Sequence, residues 1–174
     1  MRGIRPIGQN DREVAPMEKP AQEIVTILCG KGLTLGVVES ATGGLISHLI
    51  TDVPGCSAVY QGSITSYSDK MKIDVVGVRA STIHRYGAVS AAAARQMAAG
   101  GRKVLGVDIC VADTGIAGPT GARPGKPVGL FYIGLSHAGG TFSRKHIFRG
   151  TREENKLSAA LAALGWVREW LLHN

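Results

Sequence analysis

Ser57, Tyr67 and Lys72 stand close together in the stretch Pro54–Lys72, and their types are suited to nucleophilic catalysis. A serine hydroxyl is a weak nucleophile at neutral pH until a neighbour takes its proton, and a lysine kept out of water has a lowered pKa and can be that neighbour. The stretch holds no histidine, so a Ser-His-Asp arrangement would have to import its base from elsewhere. The local reading is Ser57 as nucleophile, Lys72 as general base and Tyr67 as a second hydroxyl able to handle a proton. A turn serine beside a surface lysine is the alternative, and spacing alone does not separate the two. Cys56 competes as a nucleophile, although a small buried cysteine is the commoner case.

The elements that would have to position these residues follow from the hydrophobic pattern. Leu33 to Glu39 is a nearly continuous apolar run, as in strands covered on both faces. It ends at Ser40-Ala-Thr-Gly-Gly44, after which Leu45, Ile46, Leu49 and Ile50 give a helix pattern. A strand, a glycine-rich turn and a helix start form a place where open α/β sheets bind ligands, because the first helical N–H groups are free to meet an anion. Ser40, Thr42 and Gly43 are therefore candidate ligand contacts; Ser40 or Thr42 can equally be a plain N-cap. Val59 to Ser66 reads as a strand, Tyr67 to Val78 as a short helix or turn, and Ser90 as the N-cap of a helix over 91–103.

Val107 to Ala112 reads as a second buried strand feeding a long glycine-rich loop, 113–127, which includes Thr114 and Gly115. Loops of that length in a compact domain are functional or disordered, and this one can form an anion-binding nest of backbone N–H groups. It matches neither of the common nucleotide-binding glycine patterns. Val128–Leu135 and Thr141–Phe148 read as a hairpin with a longer loop through His137-Ala-Gly-Gly140. Thr151-x-x-Glu154 is a capping box opening a final helix with apolar positions at Leu157, Ala160, Leu161, Leu164, Val167 and Leu171. The alternation predicts an α/β fold, a three-layer α/β/α sandwich with a mixed sheet. Residues 1–18 read as a mobile polar tail and 19–174 as one domain, with Met17 an alternative start.

Composition narrows the function classes. The three cysteines, Cys29, Cys56 and Cys110, are an odd number at wide spacing, which argues against a disulfide framework and fits a reducing cytoplasm. Cys29 and Cys110 read as core. No pair among His48, His84, His137, His146 and His173 has metal-ligand spacing, so no metal and no cofactor is expected. No apolar stretch is long enough to span a bilayer, and no membrane partner is expected. The net charge is +7, and residues 1–18 balance to zero, so the excess belongs to the body and suggests an anionic partner. Aromatic residues make up only 5% and the basic residues are scattered, which favours a phosphate-bearing small molecule over nucleic acid. A homo-oligomer stays open.

Taken in order, Val37-Val-Glu-Ser-Ala-Thr-Gly-Gly44, the Pro54–Lys72 stretch, Gly87-Ala-Val-Ser90, Asp113-Thr-Gly-Ile-Ala-Gly-Pro-Thr-Gly121, Lys126-Pro-Val-Gly129 and Gly150-Thr-Arg-Glu-Glu154 resemble the CinA C-terminal domain family, the nicotinamide-mononucleotide amidases. The resemblance covers roughly residues 20 to 172. It implies a cytoplasmic hydrolase of pyridine nucleotide salvage that deamidates nicotinamide mononucleotide to nicotinate mononucleotide and ammonia, with Ser57, Lys72 and Tyr67 in the roles given above. By the same resemblance, Ser40 and Thr114 are substrate contacts and Arg152 pairs with the 5′-phosphate. The chain departs from the family pattern at Ala41, where many relatives carry cysteine, at Cys56, and at Gly150-Thr151 before the arginine. Two other classes remain: a non-catalytic pyridine-nucleotide-binding module, favoured by an exposed and ordinarily charged Lys72, and a competence- or DNA-damage-associated protein, favoured by salt-dependent DNA affinity.

Overall fold

Five short strands pair into one sheet in a computed structural model that describes residues 19–174. They are β1 (Leu35–Glu39), β2 (Tyr60–Thr65), β3 (Ile109–Gly115), β4 (Leu130–His137) and β5 (Gly140–Ile147), in the order β2-β1-β3-β4-β5. β1 runs parallel to β2 and to β3, and β3–β4 and β4–β5 are antiparallel, which makes the sheet mixed. The expected tail at 1–18 and the alternative start at Met17 lie outside the described residues.

Among the described residues, six α-helices cover the two faces: α1 (Lys19–Lys31), α2 (Leu45–Thr51), α3 (Asp69–Asp74), α4 (Ala80–Tyr86), α5 (Ala91–Leu105) and α6 (Arg152–His173). Alternation along each strand divides the core. Leu35, Val37, Ile109, Val111, Ile133 and Leu135 point to one face and pack against Ile24 and Leu28 of α1, Ile46 of α2 and Leu164 of α6. Val38, Cys110 and Ala112 point to the other and pack against Met97 and Ala98 of α5 and against Val76 and Val78 after α3. Each fully buried Leu, Ile or Val contributes about 1.5–3 kcal/mol, so the larger first cluster carries most of the stability. α5 lies very close to the sheet because Gly134 has no side chain: a Cβ there would meet Ala94 O at 2.2 Å.

The strand order places the site. The chain leaves β1 for β2 on one side and later enters β3 on the other, so the winding reverses between β1 and β3. Crevices at the carboxyl ends of strands flanking such a reversal are where open α/β sheets hold ligands. The ends of β1, β2 and β3 coincide there, since Glu39 pairs with Thr65 and the Ser66 N–H donates to Glu39 O at 2.8 Å.

Several expected boundaries move. Asp113, Thr114 and Gly115 belong to β3 rather than to the loop, because β4 pairs with them through Ile133, Tyr132 and Phe131. The β4–β5 hairpin closes over Ala138-Gly139 alone, since His137 already pairs with Gly140; the longer loop is not formed. α1 continues through Gly30 and ends before Gly32, whose φ is +64°. Cys29 faces outward on that helix, contrary to its expected core placement, whereas Cys110 is buried. The capping box is present: Thr151 accepts from the Glu154 N–H, and the Glu154 carboxylate accepts from the Thr151 N–H.

Candidate functional site

Lys72 is among the largest side chains in the interior, 2% exposed, and it enters from α3. Ser68 starts that helix, its hydroxyl accepting the Met71 N–H at 3.2 Å, and this fixes Lys72 on the turn facing the sheet. The Lys72 amine donates to Ser66 O and Tyr67 O, each at 2.9 Å, and its third neighbour is Ser40 Oγ, also at 2.9 Å. Burial pushes the Lys72 pKa below its ordinary value, opposed by the Asp69 and Asp113 carboxylates.

Ser57 is elsewhere. It is exposed in the short 3-10 turn Cys56–Ala58 that precedes β2, whereas Lys72 meets the chain just after β2 ends. The six residues of β2 separate the two, roughly 20 Å at the usual rise per residue. The expected Ser57–Lys72 pair is therefore not formed, and Ser40 takes the place beside the amine. The signal was present in the sequence: parallel strands gather chemistry at their carboxyl ends. Ser40 directly follows β1, while Ser57 precedes β2.

The Tyr67 phenol does not bond to Lys72; the Tyr67 carbonyl does, and its ring is 63% exposed at the cavity mouth. Neither Ser40 nor Thr42 caps α2. That work falls to Glu39, whose carboxylate accepts the N–H groups of Gly44, Ile46 and Ser47 at 2.7, 3.2 and 2.9 Å. Asp113 holds the turn before it, accepting the N–H groups of Ser40, Ala41 and Thr42 at 3.0, 3.0 and 3.3 Å. With these N–H groups committed, the turn does not offer free helix-start N–H groups to an anion. Thr42 is fully buried between the two carboxylates and does not line the cavity; neither does Gly43, which is exposed and turns the chain at φ +66°.

In front of Ser40 and Lys72 is a cavity of about 240 Å3. Of the expected contacts, Ser40, Thr114, Gly115 and Arg152 line it. Thr114 is oriented by donating its hydroxyl to Ala88 O at 2.9 Å, and Arg152 by donating to Gly118 O at 2.7 Å. Asp69 and Arg123 also line the cavity and were missed, since nothing in their spacing distinguishes them from surface charges. Arg123 is brought over by the small turn in which Arg123 and Lys126 exchange backbone hydrogen bonds at 3.0 and 2.8 Å. A larger groove of about 840 Å3 runs over α4 and α5 and is lined by Arg79, Arg95 and Lys126, with no nucleophile–base pair in it. Among the described residues no cluster of His, Cys, Asp and Glu could hold a metal, and no helix is long and apolar enough to cross a membrane.

Comparison with known proteins gives the family and supports the fold. The CinA C-terminal domain family matches residues 17–171. A putative competence-damage inducible protein of Thermoanaerobacter sp. (strain X514) is 44% identical over 156 residues, which is 89% of this chain and 38% of that protein. A CinA-like protein of Kosmotoga olearia is 44% identical over the same shares. The chain thus spans about two fifths of the length of the curated relatives it matches. Among solved structures, the competence/damage inducible protein CihA of Agrobacterium tumefaciens aligns with a TM-score of 0.86 at 34% identity, over 90% of this chain and 97% of that one. A CinA superfamily protein of Klebsiella pneumoniae 700603 aligns with a TM-score of 0.87 at 28% identity, over 91% and 99%. On both sequence and architecture, the chain belongs to the CinA C-terminal domain family.

Proposed function

We propose that the chain hydrolyses the carboxamide of nicotinamide mononucleotide, with Ser40 as nucleophile and Lys72 as general base. The observation that carries this reading is the set of partners around the Lys72 amine. Two of the three are backbone carbonyls, which only accept. A neutral amine has two N–H groups for those carbonyls and one lone pair left, and the remaining neighbour is a hydroxyl that can donate to it. An uncharged lysine can therefore receive the Ser40 proton in this geometry, and burial favours that form over the ammonium.

In the first half-reaction the Ser40 oxygen bonds to the carboxamide carbon as its proton passes to Lys72. The C–N bond then breaks, Lys72 returns the proton to the departing nitrogen, and ammonia leaves an ester on Ser40. A water molecule gives a proton to Lys72 and attacks the ester, and the acid is released as Ser40 regains its proton. One water is consumed, and one ammonia and one carboxylate are formed. Arg123 and Arg152 at the cavity supply the charge expected to meet a 5′-phosphate. The binding-module alternative called for an exposed, ordinarily charged Lys72, whereas this one is 2% exposed with a lowered pKa. The test is ammonia release from nicotinamide mononucleotide and from nicotinamide riboside by purified protein. Release that Ser40→Ala abolishes supports the assignment, and no release from either amide rejects it.

A further inference from the structure

Glu39 and Asp113, both fully buried, meet at one hydroxyl: Thr42 Oγ1 is 2.7 Å from Glu39 Oε2 and 2.5 Å from Asp113 Oδ1. A threonine hydroxyl carries one hydrogen, so it can donate to only one of them. Were both carboxyls ionised, the other contact would set an oxygen lone pair against an anionic oxygen away from water, which is repulsive. One additional proton resolves this, because an acid O–H can donate to Thr42 while Thr42 donates onward.

The surroundings say where that proton belongs. Glu39 is filled by donors on both oxygens: Gly44 and Ile46 N–H on Oε2, and Ser47 N–H and hydroxyl on Oε1. A proton on Glu39 would point at one of them. Asp113 Oδ2 takes the Ala41 and Thr42 N–H groups, whereas Oδ1 takes only the Ser40 N–H and faces the Thr42 hydroxyl.

We infer that Asp113 is a protonated acid bonded through Thr42 to an ionised Glu39, and that this chain is what holds the Ser40 backbone in place for attack. Asp113 is then a positioning residue, a role that rests on Ser40 being the nucleophile. The charged groups facing it are Glu39 from β1 and Lys72 from α3; Lys156 on α6 brings its amine only to the neighbourhood of Gly43. Burial pushes the Asp113 carboxyl up to about 6, and the Glu39 charge pushes the same way.

The test is isotope-edited infrared spectroscopy of the full chain with labelled aspartate, which reads a protonated carboxyl directly and needs no activity. At about pH 5.5 an ordinary aspartate is almost wholly ionised. The expected result is one protonated aspartate at that pH, absent from Asp113→Asn. An all-ionised spectrum at pH 5.5, or a band that survives Asp113→Asn, overturns the inference. Kinetics test the positioning role. Asp113→Asn keeps a donor toward Thr42 and gives up one acceptor, so kcat is expected to fall about tenfold. Glu39→Gln sets an amide N–H against donors and is expected to lose at least tenfold more. Equal effects of the two amides overturn the assigned direction of the chain. A failure of Ser40 as nucleophile would remove the positioning role while the infrared band remained.

Discussion

Lys72 and Ser40 come from different strand ends, 32 residues apart in sequence, and place amine and hydroxyl 2.9 Å from each other in the interior. The contact exists because β1 and β2 are parallel neighbours: one residue past β1 and the first helix past β2 are delivered to the same place. Lys72→Met keeps the buried stem and removes the base. Ammonia release is expected to fall by about 10²–10⁴-fold, while thermal unfolding shows the fold retained. Ser57→Ala, at the opposite end of β2, is expected to stay within about twofold of the parent, as surface changes usually do. A large loss in the Ser57 variant, measured side by side, would return the nucleophile to that turn.

The pH dependence of turnover has a defined sign. Only the neutral amine can accept the Ser40 proton, so kcat/KM is expected to rise with pH through a pKa lying below the ordinary lysine value of 10.5. Stability follows the same direction for this group. With the folded value depressed, the folded chain binds fewer protons than the unfolded one between that value and 10.5, so the Lys72 contribution grows as pH rises across that window. A pH–rate profile of the parent that falls through this range would contradict the assignment.

Asp113 works in the other direction. Its carboxyl is raised from 3.8 to about 6, so the folded chain holds a proton that the unfolded chain releases. Stability from this group is fully present below about 3.8 and is lost as pH rises through about 6. The loss is on the order of 3 kcal/mol at 1.36 kcal/mol per pKa unit. Asp113→Asn is expected to flatten this part of the stability curve, read as thermal midpoints between pH 4 and 7. An unchanged slope would show that another group sets it.

Arg123 and Arg152 differ from the reacting pair in that both are exposed at the cavity. Replacing either by methionine is expected to raise KM for the mononucleotide about tenfold, the loss of one partly solvated charge-assisted hydrogen bond. KM for the riboside should stay nearly constant. Steady-state kinetics on the two amides separate phosphate recognition from a general disturbance of the loop.

Thr151→Ala removes the hydroxyl that accepts the Glu154 N–H at the start of α6, and leaves the 151 backbone N–H to donate to the Glu154 carboxylate. The expected cost is about 1 kcal/mol in chemical denaturation. Because Arg152 is the first residue of that helix, KM for the mononucleotide should rise with it.

The sheet, the buried runs and the capping box were legible because each leaves a local trace: period, composition, or a fixed offset of three residues. The site was only partly so. Lys72 stood out as a lysine that could be kept out of water, but its partner depended on which strand ends lie together, a property of pairing rather than of neighbouring letters. Reading the Leu33–Glu39 run as a parallel strand already contained the answer, since it makes Ser40 a carboxyl-end residue. Asp113 was invisible as a functional group: it was read as the opening of a loop, and only its pairing with Ile133 shows it inside the sheet. Thr42 looked like a ligand contact because its hydroxyl is at a helix start; its actual partners are two carboxylates that sequence offset does not connect.

Two of the three groups that fix the Lys72 amine are main-chain oxygens, and a main-chain oxygen is the same whatever residue bears it. The exposed side chain at 67 can thus change over generations without unsettling the base, whereas fully buried Ser66 is confined to a small residue. The mouth of the cavity, where the Tyr67 ring lies, can be remodelled for new amides while the proton-accepting machinery beneath it is inherited unchanged.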